Sequence, residues 1–103
     1  MPLSEHHNPN IQKKVILENQ IIPHLTNFSQ AILQPQQISY VHSHEDMWEV
    51  FYIESGKGLM VVNDQEYQLE KGVCIMVEPH DRHEIINNGN KNLVINYFGI
   101  VAN

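Results

Sequence analysis

From Phe28 to Ile100 the chain is a succession of short apolar runs, rich in β-branched and aromatic residues and without a helical period. Such runs fall at 28–33, 40–44, 49–53, 59–62, 67–69, 73–77, 83–87 and 93–100. Between them stand turn-forming clusters: Gln34-Pro35-Gln36-Gln37, Gly56-Lys57-Gly58, Asn63-Asp64-Gln65-Glu66, Glu70-Lys71-Gly72 and Asn88-Gly89-Asn90. The pattern predicts about eight short strands in an all-β barrel or sandwich. Runs 59–62 and 67–69 read as one hairpin, and Asn88-Gly89 carries a hairpin signal joining 83–87 to 93–100. The stretch 11–22 is ambiguous: Ile11, Val15, Ile16 and Ile22 suit a short helix or an edge strand, and Pro23 ends it. Residues 1–10 are polar with two prolines and read as a loose tail, in which His6 and His7 are expected to be solvated. The expected organisation is a tail and lead-in over 1–27 and a barrel over 28–103.

At 103 residues there is room for one domain. A hydrophobic content of 42% supports a core, yet so small a domain keeps a high surface-to-volume ratio. On the strand that points Glu49 inward, Val50 and Tyr52 face outward, which predicts a homodimer that covers them. A net charge of −6 without any basic run argues against nucleic acid as a partner. The lone Cys74 has no partner for an internal disulfide and reads as a small core hydrophobe. No apolar run is long enough to span a membrane, and the start shows no signal-peptide pattern. The expectation is a cytoplasmic protein without a membrane role; the Asn27-Phe28-Ser29 sequon then has no consequence.

The chemistry concentrates in two stretches. In Tyr40-Val41-His42-Ser43-His44, alternation along a strand sends His42 and His44 to one face, and Glu49 follows after a four-residue loop. Two imidazoles and a carboxylate beside Phe51 and Ile53 make a metal site if a fourth ligand arrives from elsewhere. A His-x-His pair alone is weak evidence, because surface histidines are common. The second stretch, Glu78-Pro79-His80-Asp81-Arg82-His83, supplies further candidates. His42-Ser43-His44-Glu45-Asp46 fails as a metallo-β-lactamase motif because Met47 stands in the final histidine position. His83-Glu84-Ile85-Ile86-Asn87 fails as His-Glu-x-x-His for lack of the second histidine.

Together the two stretches resemble the paired motifs of the cupin superfamily. His42, His44, Glu49 and Gly56 match every spaced position of the first motif, and Gly72, His83 and Asn87 match the second. Gln36, Glu78 and His80 stand where the family has Gly, Pro and Gly. The resemblance spans about residues 28 to 100. It implies a double-stranded β-helix, or jelly-roll barrel, with His42, His44, Glu49 and His83 holding one divalent transition metal: Fe, Mn, Ni, Co, Cu or Zn.

Around that centre, Tyr40, Trp48, Arg82 and Asn87 are candidate pocket residues, each with a plainer alternative in packing, solvation or turn structure. Glu49 and His80 are the candidate catalytic groups. Two function classes follow: a metal-dependent enzyme acting on a small oxygenated metabolite by dioxygenase, isomerase, lyase or cyclase chemistry, or a non-catalytic module that captures a sugar or carboxylate. Sensor cupins are often joined to a DNA-binding helix-turn-helix, and the lack of such a pattern in these residues favours the enzyme expectation.

Overall fold

A computed structural model describes residues 10–102, with residues 40–42 described in their backbone only. The tail histidines His6 and His7 lie outside the described residues. The described residues contain no helix, and none therefore is long and apolar enough to cross a membrane. They form nine strands: β1 (Gln12–Leu17), β2 (Phe28–Leu33), β3 (Ile38–His42), β4 (Met47–Ser55), β5 (Gly58–Val62), β6 (Gln65–Leu69), β7 (Cys74–Val77), β8 (His83–Ile86) and β9 (Leu93–Val101). One sheet runs β1-β2-β9-β4-β7 and the other β3-β8-β5-β6, with every pairing antiparallel. This is the expected all-β jelly-roll barrel.

The core lies between the two sheets. Leu33, Ile53, Leu93 and Ile95 from the first sheet meet Met60, Leu69 and Ile85 from the second, all buried. Alternation is clean on β2, where Ser29, Ala31 and Leu33 point in, and on β4, where Glu49, Phe51 and Ile53 do. A polar Ser and an ionisable Glu thus occupy positions that the pleat reserves for apolar side chains.

Four details refine the sequence reading, the first by settling its edge-strand alternative. The ambiguous lead-in is a strand: β1 lies along β2 at the sheet edge, because antiparallel pairing satisfies its backbone groups as no isolated turn of helix would. The 59–69 hairpin turns on Asn63 and Asp64 alone, both left-handed (φ 48° and 69°), the two-residue geometry that matches strand twist. Residues 83–87 and 93–100 are not a hairpin, since β8 pairs with β3 and β5 while β9 pairs with β2 and β4. Finally Cys74 is exposed, opposite Tyr52 on the outward face of the first sheet, so it is not a core residue.

Asn87 explains the third departure. Its fully buried amide donates to the carbonyls of Leu33 and Lys91, both at 2.8 Å, and its Oδ1 accepts from the Gly89 amide at 2.9 Å. The Asn-Gly signal is real, but the side chain uses it to carry the chain from one sheet to the other. Asn87→Ala leaves two carbonyls without this donor and should cost about 2–4 kcal/mol. Urea unfolding measures this; a loss under about 1 kcal/mol would show that the crossover does not depend on Asn87.

Candidate functional site

Three of the four expected ligands are described in full, and they meet at one end of the barrel. Glu49 projects from near the start of β4, and His83 opens β8 in the facing sheet. His44 belongs to the loop after β3, not to the strand as alternation implied, because β3 ends at His42. Its main chain is fixed there by the His80 amide, which donates to the His44 carbonyl at 2.6 Å. Within β3 the register slips between Ser39, which faces Ile85, and His42, which faces His83. This bulge sets position 42 opposite His83. The side chains of Tyr40 and His42 lie outside the described residues.

His83 Nε2 stands 3.0 Å from Glu49 Oε1, and His44 Nε2 stands 3.6 Å from the same oxygen. Glu49 is 7% exposed and His83 only 1%. The other ring nitrogen of His83 is 3.3 Å from the Asp81 carbonyl. A carbonyl only accepts, so Nδ1 carries the proton in that bond, and Nε2 turns a lone pair toward a carboxylate. Two electron-rich atoms held 3.0 Å apart away from water need a cation between them, either a proton or a metal ion.

Donor atoms about 2.1 Å from a shared ion are separated by roughly 3.0–3.4 Å, close to the two spacings seen at Glu49. Borderline nitrogen with hard carboxylate oxygen suits the first-row divalent metals. These residues therefore fit a metal. Among the described residues no set of three or more His, Cys, Asp or Glu is arranged to hold one unaided.

A cavity of about 280 Å³ opens beside this cluster. Phe51, Ile85 and Ile95 form its apolar wall, while Lys13, Ser29 and Tyr97 bring polar groups to it. Tyr97 stacks on Phe51 (centroids 5.7 Å, planes 20° apart). Burial pushes its phenol above the ordinary tyrosine value, and the negative charge of Glu49 adds to this, although a hydrogen bond with Ser29 acts against them. The phenol therefore keeps its proton and remains a donor. Gly99, opposite Glu49 on β9, preserves the opening: a Cβ there would lie 2.5 Å from Met47 Sδ and 2.9 Å from Thr26 Oγ1.

The remaining expected residues stand elsewhere. Trp48 points away from the cavity, because its neighbour Glu49 points in, and it sits exposed opposite Ile100. Arg82 is exposed, with its guanidinium 3.4 Å from the Asp64 carboxylate across the β5–β6 turn. Asn87 is committed to the crossover described above. His80 is exposed in the turn before β8 and is not among the described residues that line the cavity. That turn is organised by Asp81, whose carboxylate accepts from Asn63 Nδ2 at 2.7 Å and from the Glu78 amide at 3.0 Å. The Asn63 bond first, then the Glu78 amide, hold the Asp81 carboxyl below its ordinary value. Sequence reasoning missed Lys13, Ser29 and Tyr97. Reading 11–22 as a strand would have placed Ile11 and Lys13 on one face and so pointed to the first of these.

The cupin-domain family model matches residues 29–100, and the chain belongs to that family. An uncharacterized protein of Methanocaldococcus jannaschii is 32% identical over 69 residues, which is 67% of this chain and 55% of that protein. The transcriptional activator RhaS of Pectobacterium carotovorum, of the helix-turn-helix type, is 38% identical over 47 residues, 46% of this chain and 17% of the activator. The chain thus spans about half the length of the first relative and a small part of the second. Among solved structures, a predicted oxalate decarboxylase from Thermotoga maritima superposes with a TM-score of 0.85 at 23% identity, covering 88% of this chain and 80% of that one. That likeness concerns the fold.

The positions where Gln36 and His80 replace the family's glycines keep glycine's backbone. Gln36 has φ 76° and His80 φ 74°, both left-handed. A non-glycine residue there costs roughly 1–2 kcal/mol, against about 0.5–1 kcal/mol lost by a freer glycine in the unfolded chain. His80→Gly should leave metal content unchanged and raise stability by up to about 1 kcal/mol in urea unfolding. A destabilised protein, or one with less metal, would assign the imidazole a role at the site.

Proposed function

We propose that the cavity is a metal-centred site for a small oxygen-bearing ligand, with His42, His44, Glu49 and His83 as the metal ligands. The observation that carries this reading is the contact between the buried Glu49 carboxylate and His83 Nε2, whose other nitrogen is already committed to the Asp81 carbonyl. A bound divalent ion would supply Lewis acidity toward a ligand oxygen. Phe51 and Ile95 keep bulk water from one side of the cavity, and Tyr97 offers a proton or a hydrogen bond to the ligand. On this basis the protein is read as a metal-dependent enzyme for a small oxygenated metabolite, with Glu49 as both ligand and tuning charge.

The segment shared with RhaS supports a second reading, ligand capture without turnover. The two diverge at Glu49. In the enzyme, Glu49→Gln retains part of the metal yet loses most turnover per bound metal, because the only anionic ligand is gone. In a capture module the same change leaves anion affinity per bound metal intact or raised. Elemental analysis of the purified protein and of His83→Ala tests the site itself: wild type should carry about one divalent metal per chain, and the variant very little. Full occupancy in His83→Ala would sink the four-ligand set.

A homodimer through the outward face of the β2-β9-β4-β7 region completes the proposal. Met76 (59% exposed), Tyr52 (47%), Ile100 (39%) and Trp48 (37%) share that face with Phe28 and Phe98, which meet edge-to-face at 6.0 Å. An apolar surface of this kind on a small sheet favours a covered state. Light scattering at micromolar concentration should return twice the chain mass, and Tyr52→Glu should shift it toward the monomer; a monomeric wild type would contradict the proposal.

A further inference from the structure

The β5–β6 turn stands apart from the cavity, and neither Asn63 nor Asp64 lines it. Asn63 nevertheless makes three hydrogen bonds to the two residues that precede His83. Its main-chain amide donates to the Arg82 carbonyl at 2.8 Å, its Oδ1 accepts from the Arg82 amide at 2.9 Å, and its Nδ2 donates to Asp81 Oδ1 at 2.7 Å. The first two bonds extend the ladder that sets Val62 opposite His83. In a hydrogen-bonded antiparallel pair the opposed residues exchange both bonds through their main chains. Asn63 is left-handed (φ 48°) and returns the second bond through its side chain instead. The segment held in this way serves two of the expected metal ligands. The Asp81 carbonyl lies 3.3 Å from His83 Nδ1, and the His80 amide donates to the His44 carbonyl. Asp81 also closes its own turn, with its second carboxylate oxygen 3.0 Å from the Glu78 amide and its amide 3.1 Å from the Glu78 carbonyl. Asn63 ties that turn to the sheet.

We infer that Asn63 is a positioning residue for the metal-ligand set, fixing the ring plane and the Nδ1 proton of His83 through Asp81. For metal binding this rests on the metal-centred reading above; for the orientation of His83 it does not. An imidazole that ligates through Nε2 is oriented by the acceptor that receives its Nδ1 proton, so the stiffness of that acceptor reaches the metal. Turn formation alone does not account for Asn63. Glycine adopts left-handed backbone at least as readily, yet it has no side chain to reach Asp81. Aspartate tolerates the same backbone, yet it would set a second carboxylate against that of Asp81. Asparagine offers the acceptor for Arg82 and the donor for Asp81 at once. The neighbouring Arg82–Asp64 pair, 3.4 Å apart with both side chains exposed, adds little to the clamp.

The test uses the whole chain, stripped of metal by a chelator, as wild type, Asn63→Gly, Asn63→Asp and Asp64→Asn. Exchange of the His83 Nδ1 proton with water is read by NMR, its signal assigned by its loss in His83→Ala. Zinc affinity is then read by competition with a chromophoric chelator. Asn63→Gly suits the turn, so the main-chain amides of both sheets should exchange as in wild type. Its His83 Nδ1 proton should exchange about tenfold faster or more, and zinc affinity should fall about tenfold or more. Asn63→Asp, which keeps the acceptor for Arg82 and loses the donor to Asp81, should do the same. Asp64→Asn should match wild type in both readings. Wild-type Nδ1 exchange or wild-type zinc affinity in either Asn63 variant, whatever its stability, would overturn the assignment, as would an equal loss in Asp64→Asn. If no sample binds zinc, wild type included, faster Nδ1 exchange in the Asn63 variants keeps the positioning role and refutes the metal-centred reading instead.

Discussion

The approach of Glu49 to His83 is the constraint on which the site depends. A carboxylate 7% exposed cannot stay charged in a barrel interior without a compensating cation, and the His83 ring, 3.0 Å away through Nε2, is oriented by its own bond to the Asp81 carbonyl. Everything around the pair serves to hold it. The Asp81 carboxylate fastens the turn that presents that carbonyl, the His80 amide fastens the loop that presents His44, and the β3 bulge brings position 42 opposite His83. Each of these is a backbone or turn device, so the site's precision comes from loops clamped onto two rigid sheets.

The same economy appears in the connections. The Asn87 side chain makes three hydrogen bonds from a fully buried position and turns the chain from one sheet to the other. Gly56 has φ 90°, and a Cβ there would come within 2.3 Å of the Asn92 carbonyl oxygen, so the motif glycine is required by the close approach of two chain segments. Gln36 and His80 reach the glycine conformation at some cost in strain, which shows that the motif encodes a backbone shape more strictly than a residue type.

Much of the fold was legible because strand alternation and turn chemistry are local signals. The β5–β6 hairpin, the inward set Glu49, Phe51 and Ile53, and the outward Tyr52 all follow from a period of two. The rest depended on information that is not local. Asn88-Gly89 looks the same in a hairpin and in a crossover, and only the partners of Asn87 decide between them. The alternation that assigned His44 to a strand could not foresee where β3 stops or bulges. Arg82 and Trp48 were plausible pocket residues by proximity in sequence, but Asp64 draws the first away and the pleat turns the second outward. Lys13 was invisible while its segment was undecided between helix and strand, since only pairing with β2 gives it an inward side.

The most direct test of the metal-centred account is a crystal structure of the purified protein with data collected on both sides of the absorption edge of whichever metal elemental analysis identifies. The account predicts one anomalous peak per chain, between Glu49 Oε1 and His83 Nε2 and within bonding distance of His44 and His42. A peak at the His6-His7 tail alone, or a Glu49–His83 contact bridged by nothing but a proton, would contradict it.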